Sequence, residues 1–158
     1  MARKDITMTD EEVLDFLARG HTLQVATVGK DGVPHLAPMW YLVENDKVVF
    51  RSFTKSQKIV NLNRNPNITV LVEEGHSYAE LRGVMIKGTA TLVTDRDYVL
   101  GLYGRIAAEY ELVSGARQEL APEDLEAAFG RLAEKNTAVV VEPDHVTSWD
   151  HTKLGGAY

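Results

Sequence analysis

Residues 23–43 read LQVATVGKDGVPHLAPMWYLV, and this stretch decides the fold class. Apolar and more polar side chains alternate over residues 23–28, and this period of two predicts a β-strand. The turn signal Lys30-Asp31-Gly32 follows, because an Asp-Gly pair readily supplies the positive φ of a tight hairpin. A second strand is predicted over residues 34–43, so the stretch is expected to form an antiparallel hairpin.

The rest of the chain continues the pattern of short strands with helices inserted between them. Thr9 opens a first helix with a capping box and Gly20 ends it. Further strands are predicted over residues 47–53, 67–73, 79–93 (as one strand or two joined at Gly88) and 137–149, and further helices over residues 57–64, 96–110 and 123–135. These elements predict a mainly β protein with peripheral α-helices: a six-stranded antiparallel barrel decorated with helices, in one domain spanning residues 1–158.

Composition excludes several function classes. The chain has no cysteine, so disulfides, thiolate metal sites and cysteine nucleophiles are excluded. A net charge of -6 argues against nucleic acid as the main partner, since phosphate backbones are bound by basic surfaces. We expect no metal site, because the five histidines lack paired-ligand spacing. With no signal peptide and no apolar run of about 18 residues, we expect no membrane partner and a cytoplasmic location.

One segment concentrates groups that bind phosphate. Residues 51–61 run from the end of a predicted strand into the start of a predicted helix. At a helix start, free backbone N–H groups and the helix dipole favour anions. A solvated loop with a capped helix is the alternative explanation, and from the spacing alone the two explanations weigh about equally. The candidate ligands are Arg51, Ser52, Lys55, Ser56, Lys58 and Asn61.

Two further segments carry unusual side chains. Pro38, Met39 and Trp40 adjoin one another in the second strand, where proline cannot donate to a ladder, so we expect an edge, a bulge or a site there. Aromatic and thioether groups could flank a planar ring, although plain core packing explains Met39 and Trp40 equally simply. The C-terminal residues 149–158 are rich in Trp, His, Lys and Tyr, and could cap a ligand, cover a partner subunit or fray.

The order of these segments resembles the FMN-binding split-barrel superfamily, whose namesake is pyridoxamine 5'-phosphate oxidase. It is most similar to the actinobacterial branch of flavin/deazaflavin oxidoreductases that use coenzyme F420. The matching residues are 26–35, 38–41, 51–52, 56–62, 65–66 and 88–90, with Trp149-Asp150 ending the last strand.

The resemblance implies a split barrel that pairs as a homodimer with two cofactor sites at the interface. It also implies that Arg51, Ser52, Lys55, Ser56, Lys58 and Asn61 hold the cofactor phosphate. The second strand is then expected to run under the cofactor ring at Pro38, Met39 and Trp40. The run from Ser56 through Lys58 to Asn61 resembles that of deazaflavin users, so the cofactor is expected to be F420. FMN is the alternative, because both cofactors carry similar rings and a phosphate on the ribityl arm.

Electron transfer is expected to rest on the cofactor, because the chain has no evident redox group of its own. The implied reaction is hydride transfer to an activated C=C or C=N bond of a conjugated small molecule. The catalytic residues stay unassigned, and the candidates for the proton donor are Tyr41, Lys153 and His151, or a bound water. An FMN-dependent oxidoreductase, a non-catalytic cofactor carrier and a haem-binding protein remain alternatives.

Overall fold

The computed structural model describes residues 5–112, 115 and 117–155. This part of the chain forms four α-helices and seven β-strands. The helices are α1 (Asp10–Arg19), α2 (Gln57–Arg64), α3 (Arg96–Glu109) and α4 (Pro122–Ala133). The strands are β1 (Leu23–Val28), β2 (Pro34–Met39), β3 (Leu42–Glu44), β4 (Lys47–Phe53), β5 (Asn67–Glu74), β6 (Arg82–Val93) and β7 (Asn136–Asp150).

All neighbouring strands pair antiparallel in one sheet, in the order β2-β1-β5-β6-β7-β4-β3. The two edge strands, β2 and β3, are separated by Trp40 and Tyr41 alone, so the sheet curls until its edges approach each other. The predicted mainly β, antiparallel barrel with peripheral helices is therefore confirmed.

The predicted count of six strands was one too low. The expected single strand over residues 34–43 is two strands on opposite edges of the sheet. The chain leaves β2 after Met39, and Tyr41 turns into the core, where it is 3% exposed. Residues 36–43 are apolar at every position, so periodicity alone could not locate the break.

Local signals set most boundaries as predicted. Thr9 accepts a hydrogen bond from the Glu12 N–H, and the Glu12 carboxylate accepts one from the Thr9 N–H, which completes the capping box. Gly32 takes a φ of 81° in the β1–β2 turn. Strand β6 is continuous, and its register with β7 shifts at Gly88, which pairs with Pro143. A side chain at Gly88 would meet the Glu142 carbonyl at 1.9 Å, so this crossing requires glycine.

Two apolar cores hold the helices to the sheet. The first fills the curled sheet and includes Leu23, Phe50 and Ile59. The second lies on the other side of β4 and β7, where Val49 and Ala138 pack against Leu102 and Ile106 of α3. Successive residues of β4 thus point into different cores, which matters for the site below.

Candidate functional site

A polar cluster lies where β4 ends and α2 begins. The Ser52 and Ser56 hydroxyls are 2.9 Å apart, and the Lys58 ammonium donates to the Ser52 Oγ over 3.2 Å. Ser56 occupies the N-cap position of α2, as predicted, but its side chain makes no capping hydrogen bond to the helix. Its hydroxyl turns to Ser52 instead, so the first N–H groups of α2 receive no acceptor from their N-cap side chain.

This cluster is electropositive and partly desolvated. The first turn of α2 carries no acidic residue. Burial lowers the pKa of the Lys58 ammonium, and no charged neighbour among the described residues offsets that effect. An anion placed here would receive one ammonium, two hydroxyls and the helix N-terminus, so the donors present fit a phosphate monoester.

Lys55 stands outside this cluster on an adjoining groove. The groove has a volume of about 670 Å³ and is bordered by Phe53, Ser56, Glu134 and Lys135, among others. Phe53 is 54% exposed, so the groove offers an apolar surface between its cations. Ser56 borders the groove and also belongs to the polar cluster, and the two regions are therefore continuous.

Asn61 lies beneath the cluster and is fully buried. Its amide nitrogen donates to the Thr27 hydroxyl over 3.0 Å. Its amide oxygen accepts from Gln57 over 2.8 Å and from Arg64 over 3.1 Å. The side chain thus ties α2 to β1, and its predicted contact with a cofactor stays a prediction.

The structure does not bring Arg51 together with Ser52. Because strand residues alternate, Arg51 points to the opposite face of β4. Its guanidinium carbon lies 3.5 Å from the centroid of the Tyr103 ring, a cation–π arrangement. Burial lowers the pKa of Arg51, although the neighbouring Tyr103 opposes this shift. The buried Nε of Arg51 has no hydrogen-bond partner among the described residues.

A cavity of about 350 Å³ joins Arg51 to the second predicted segment. It is lined by Thr22, Pro38, Met39, Trp40, Arg51 and Ile106. Pro38 lies on the edge strand β2, as expected for a proline within a strand. The Trp40 ring stacks on Tyr110, with centroids 4.7 Å apart and planes 20° apart.

Helix α3 and the residue that caps its C-terminus supply two tyrosines that the sequence did not lead us to expect in the site, Tyr103 and Tyr110. The Tyr110 hydroxyl accepts from the Tyr41 N–H over 3.0 Å and lies 2.9 Å from the His21 carbonyl oxygen, which fixes the stacked ring. Tyr103 and Tyr110 are seven residues apart and so share one face of a helix. That spacing was a usable signal in the sequence.

The three proton-donor candidates all have partners within the protein. The Tyr41 hydroxyl donates to the Leu17 carbonyl, and burial raises its pKa well above the ordinary range. The Lys153 ammonium contacts the Glu12 carboxylate over 2.6 Å. The His151 Nδ1 lies 2.8 Å from the Tyr78 carbonyl oxygen. The site therefore presents no evident proton donor from this set, and the tail residues 156–158 lie outside the described part of the chain.

Within the described ranges, no three His, Cys, Asp or Glu side chains gather into a possible metal site. No helix in those ranges has the length and apolar character needed to span a membrane.

The curled antiparallel sheet is that of a small β-barrel protein. The electropositive junction between β4 and α2 gives this barrel a candidate phosphate site. The family model described as pyridoxamine 5'-phosphate oxidase matches residues 9–150. The chain belongs to this family.

Solved structures share the fold. The conserved hypothetical protein Rv2991 from Mycobacterium tuberculosis is 32% identical, with a TM-score of 0.86 over 100% of this chain and 94% of that one. A protein described as an F420 reductase is 22% identical, with a TM-score of 0.63 over 84% and 93% of the two chains. A FAD-binding protein from Mesorhizobium loti is 18% identical, with a TM-score of 0.60 over 90% and 94%. No curated protein matches the chain in sequence.

Proposed function

We propose that the protein is an F420-dependent oxidoreductase whose cofactor phosphate is held where β4 meets α2. The observation that carries this proposal is the cluster of Ser52, Ser56 and Lys58, in which a partly desolvated ammonium has no carboxylate partner among the described residues. Such a cluster is costly to fold unless an anion completes it. The family match and the similarity to a structure described as an F420 reductase support a cofactor of the flavin or deazaflavin type.

The cofactor ring is proposed to lie along β2, at Pro38, Met39 and Trp40. These three residues border the 350 Å³ cavity and provide apolar and aromatic surface for a planar ring. Asn61 is proposed to act by holding α2 against β1 through Thr27, because its amide is fully buried and hydrogen-bonded.

The groove beside Ser56 favours F420 over FMN. Deazaflavin F420 carries a lactyl-polyglutamate tail beyond its phosphate, whereas FMN ends at the phosphate. Lys55 and Lys135 border the groove of about 670 Å³ that continues from the cluster, and only Glu134 opposes them there. An anionic tail leaving the phosphate site would therefore meet two further cations.

When bound, reduced F420 supplies a hydride to one end of an activated C=C or C=N bond, and a solvent proton completes the reduction at the other end. The protein's own contribution is to place the conjugated substrate against β2 and to exclude water from the cavity. No side chain of the described cavity lining carries an evident acid, so catalysis is proposed to rest on positioning.

The experiment is a titration of the purified protein with F420 and, separately, with FMN, followed by ligand fluorescence. We expect saturable F420 binding that Lys58→Ala weakens by about 10- to 150-fold, the range for losing a hydrogen bond to a charged group. Lys47→Ala is the matched control, because Lys47 lies at the start of β4, away from α2, and its ion pair with Glu142 is exposed.

Preference for FMN would move the protein to the FMN-dependent branch of the family. Binding of either cofactor without turnover of any conjugated substrate would indicate that the protein is a non-catalytic cofactor carrier. A Soret band on addition of haem, in place of cofactor binding, would favour a haem-binding protein. Absence of binding to both cofactors would contradict the proposed site.

We also propose that the protein is a homodimer that pairs through the edge of the sheet at β2. Leu36 is 66% exposed on β2 and Val33 is 60% exposed just before it, and an apolar edge strand of this kind is normally covered. Leu36→Glu is expected to produce monomers in sedimentation velocity, whereas Leu132→Glu on α4 is expected to leave the dimer intact. A wild-type monomer at micromolar concentration would contradict this proposal.

A further inference from the structure

The guanidinium of Arg51 is the strongest unassigned binding group in the described chain. It forms no ion pair among the described residues, and its buried Nε has no hydrogen-bond partner there. The ring of Tyr103 covers it at 3.5 Å but offers no negative charge to neutralise it. An arginine kept partly desolvated without a carboxylate partner is typical of a site that receives its counter-charge from a ligand.

The cavity beside Arg51 has an aromatic and apolar lining. Its volume of about 350 Å³ is at the small end of ligand pockets, which range over about 300–1,000 Å³. Trp40 borders it and is held in place by its stack on Tyr110, whose hydroxyl is anchored to the backbone at Tyr41. Met39 and Ile106 complete an apolar lining. A guanidinium at one side of an aromatic and apolar cavity matches a planar, conjugated group that carries an acid.

This cavity is distinct from the proposed phosphate cluster. Arg51 and Ser52 project from opposite faces of β4, so the guanidinium lies over Tyr103 of α3 and the Ser52–Lys58 cluster lies on the other side of the strand. Pro38, Met39 and Trp40, which are proposed to bind the cofactor ring, also border this cavity. A molecule held by Arg51 would therefore lie beside the proposed cofactor ring.

We propose that Arg51 binds the carboxylate of the substrate, and that the substrates are planar conjugated carboxylic acids seated against Trp40. The identity of this pocket as the substrate site rests on the proposed function. Its preference for planar carboxylates does not, and it can be measured without any cofactor. In a protein of net charge -6, an exposed surface would repel such anions, so their binding would report a local cationic site.

The test compares trans-cinnamate with its neutral amide, cinnamamide, as probes at neutral pH. Binding is followed through the indole N–H signals of the two tryptophans in NMR spectra of the full chain, with Trp149→Phe used to assign them. We expect cinnamate to shift the Trp40 signal and to bind at least about ten-fold more tightly than cinnamamide. Equal affinity, or a shift confined to Trp149, would overturn the proposal without requiring any further variant.

Arg51→Gln then tests the residue itself. The preference for cinnamate is expected to fall below about two-fold in this variant, while Arg19→Gln on α1 keeps it. A preference that survives Arg51→Gln would overturn the assignment. So would a variant that loses cofactor affinity and keeps the cinnamate preference, since Arg51 would then serve the cofactor. If wild-type protein binds neither F420 nor FMN yet shows the cinnamate preference, the proposed function fails and the anion pocket stands.

Discussion

Replacing Lys58 by methionine should make the unliganded protein more stable while it weakens cofactor binding. Within the described part of the chain, the ammonium of Lys58 makes one hydrogen bond, to Ser52, and burial lowers its pKa below the ordinary value of 10.5. Methionine keeps most of the side-chain volume and carries no charge. Substitutions of this kind commonly gain about 0.5–2 kcal/mol. Because Lys58 is only half-buried, we expect the low end, about 0.5–1 kcal/mol.

The pH dependence of this effect has a definite sign. A lysine with a lowered pKa binds its proton more weakly in the folded state than in the unfolded state, so the unfolded state binds more protons between the two pKa values. The destabilisation is therefore fully present below the folded-state pKa and disappears as the pH rises to 10.5. The stability difference between Lys58→Met and the wild type should shrink in that direction.

Thermal unfolding at pH values from about 7 to 10 measures this difference, and about 0.5–1 kcal/mol corresponds to about 1–4 °C in Tm for a chain of this size. Lys47→Met is the control, because its exposed ion pair with Glu142 should leave Tm nearly unchanged. A Lys58→Met protein that is less stable than the wild type at neutral pH would refute the reasoning, since Lys58 would then be satisfied without an anion.

Two further substitutions test the frame that positions the site. Gly88→Ala should lower the free energy of unfolding by several kcal/mol, because its Cβ would meet the Glu142 carbonyl at 1.9 Å. Gly101→Ala in α3 is the control and should be neutral or gain up to about 1 kcal/mol. Urea unfolding compares the two variants, and equal midpoints would contradict the requirement for glycine at the bulge. Asn61→Ala should cost about 1–3 kcal/mol by leaving the buried Thr27 hydroxyl without its partner, and an unchanged urea midpoint would show that this network carries no stability.

The sequence predicted the elements of this fold well because local signals and global packing agree. The Thr9 capping box, the Asp-Gly turn and the alternation in β1 each act over a few residues and appear unchanged in the structure. The break at Trp40 and Tyr41 was missed because it arises from closure of the sheet, which brings distant edges together. Pro38 indicated an edge or a bulge nearby but did not locate the break.

The candidate site was predicted in part. Ser52, Ser56 and Lys58 come together as expected, since a strand end followed directly by a helix constrains them locally. Arg51 does not join them, although the alternation of a strand already implied opposite faces for neighbouring residues. The seven-residue spacing of Tyr103 and Tyr110 predicts that the two rings share one face of a helix. The position of that face beside the cavity depends on how α3 packs against β4, a long-range contact that the spacing does not specify.

The most direct test of the central claim is the fluorescence titration of wild-type protein with F420, set beside the same titration of Lys58→Ala and Lys47→Ala. The account predicts saturable binding by the wild type and by Lys47→Ala, with an affinity about 10- to 150-fold lower for Lys58→Ala. Equal affinity for F420 in all three proteins, or no binding of either F420 or FMN to the wild type, would contradict the claim that the Ser52–Ser56–Lys58 cluster holds the cofactor phosphate.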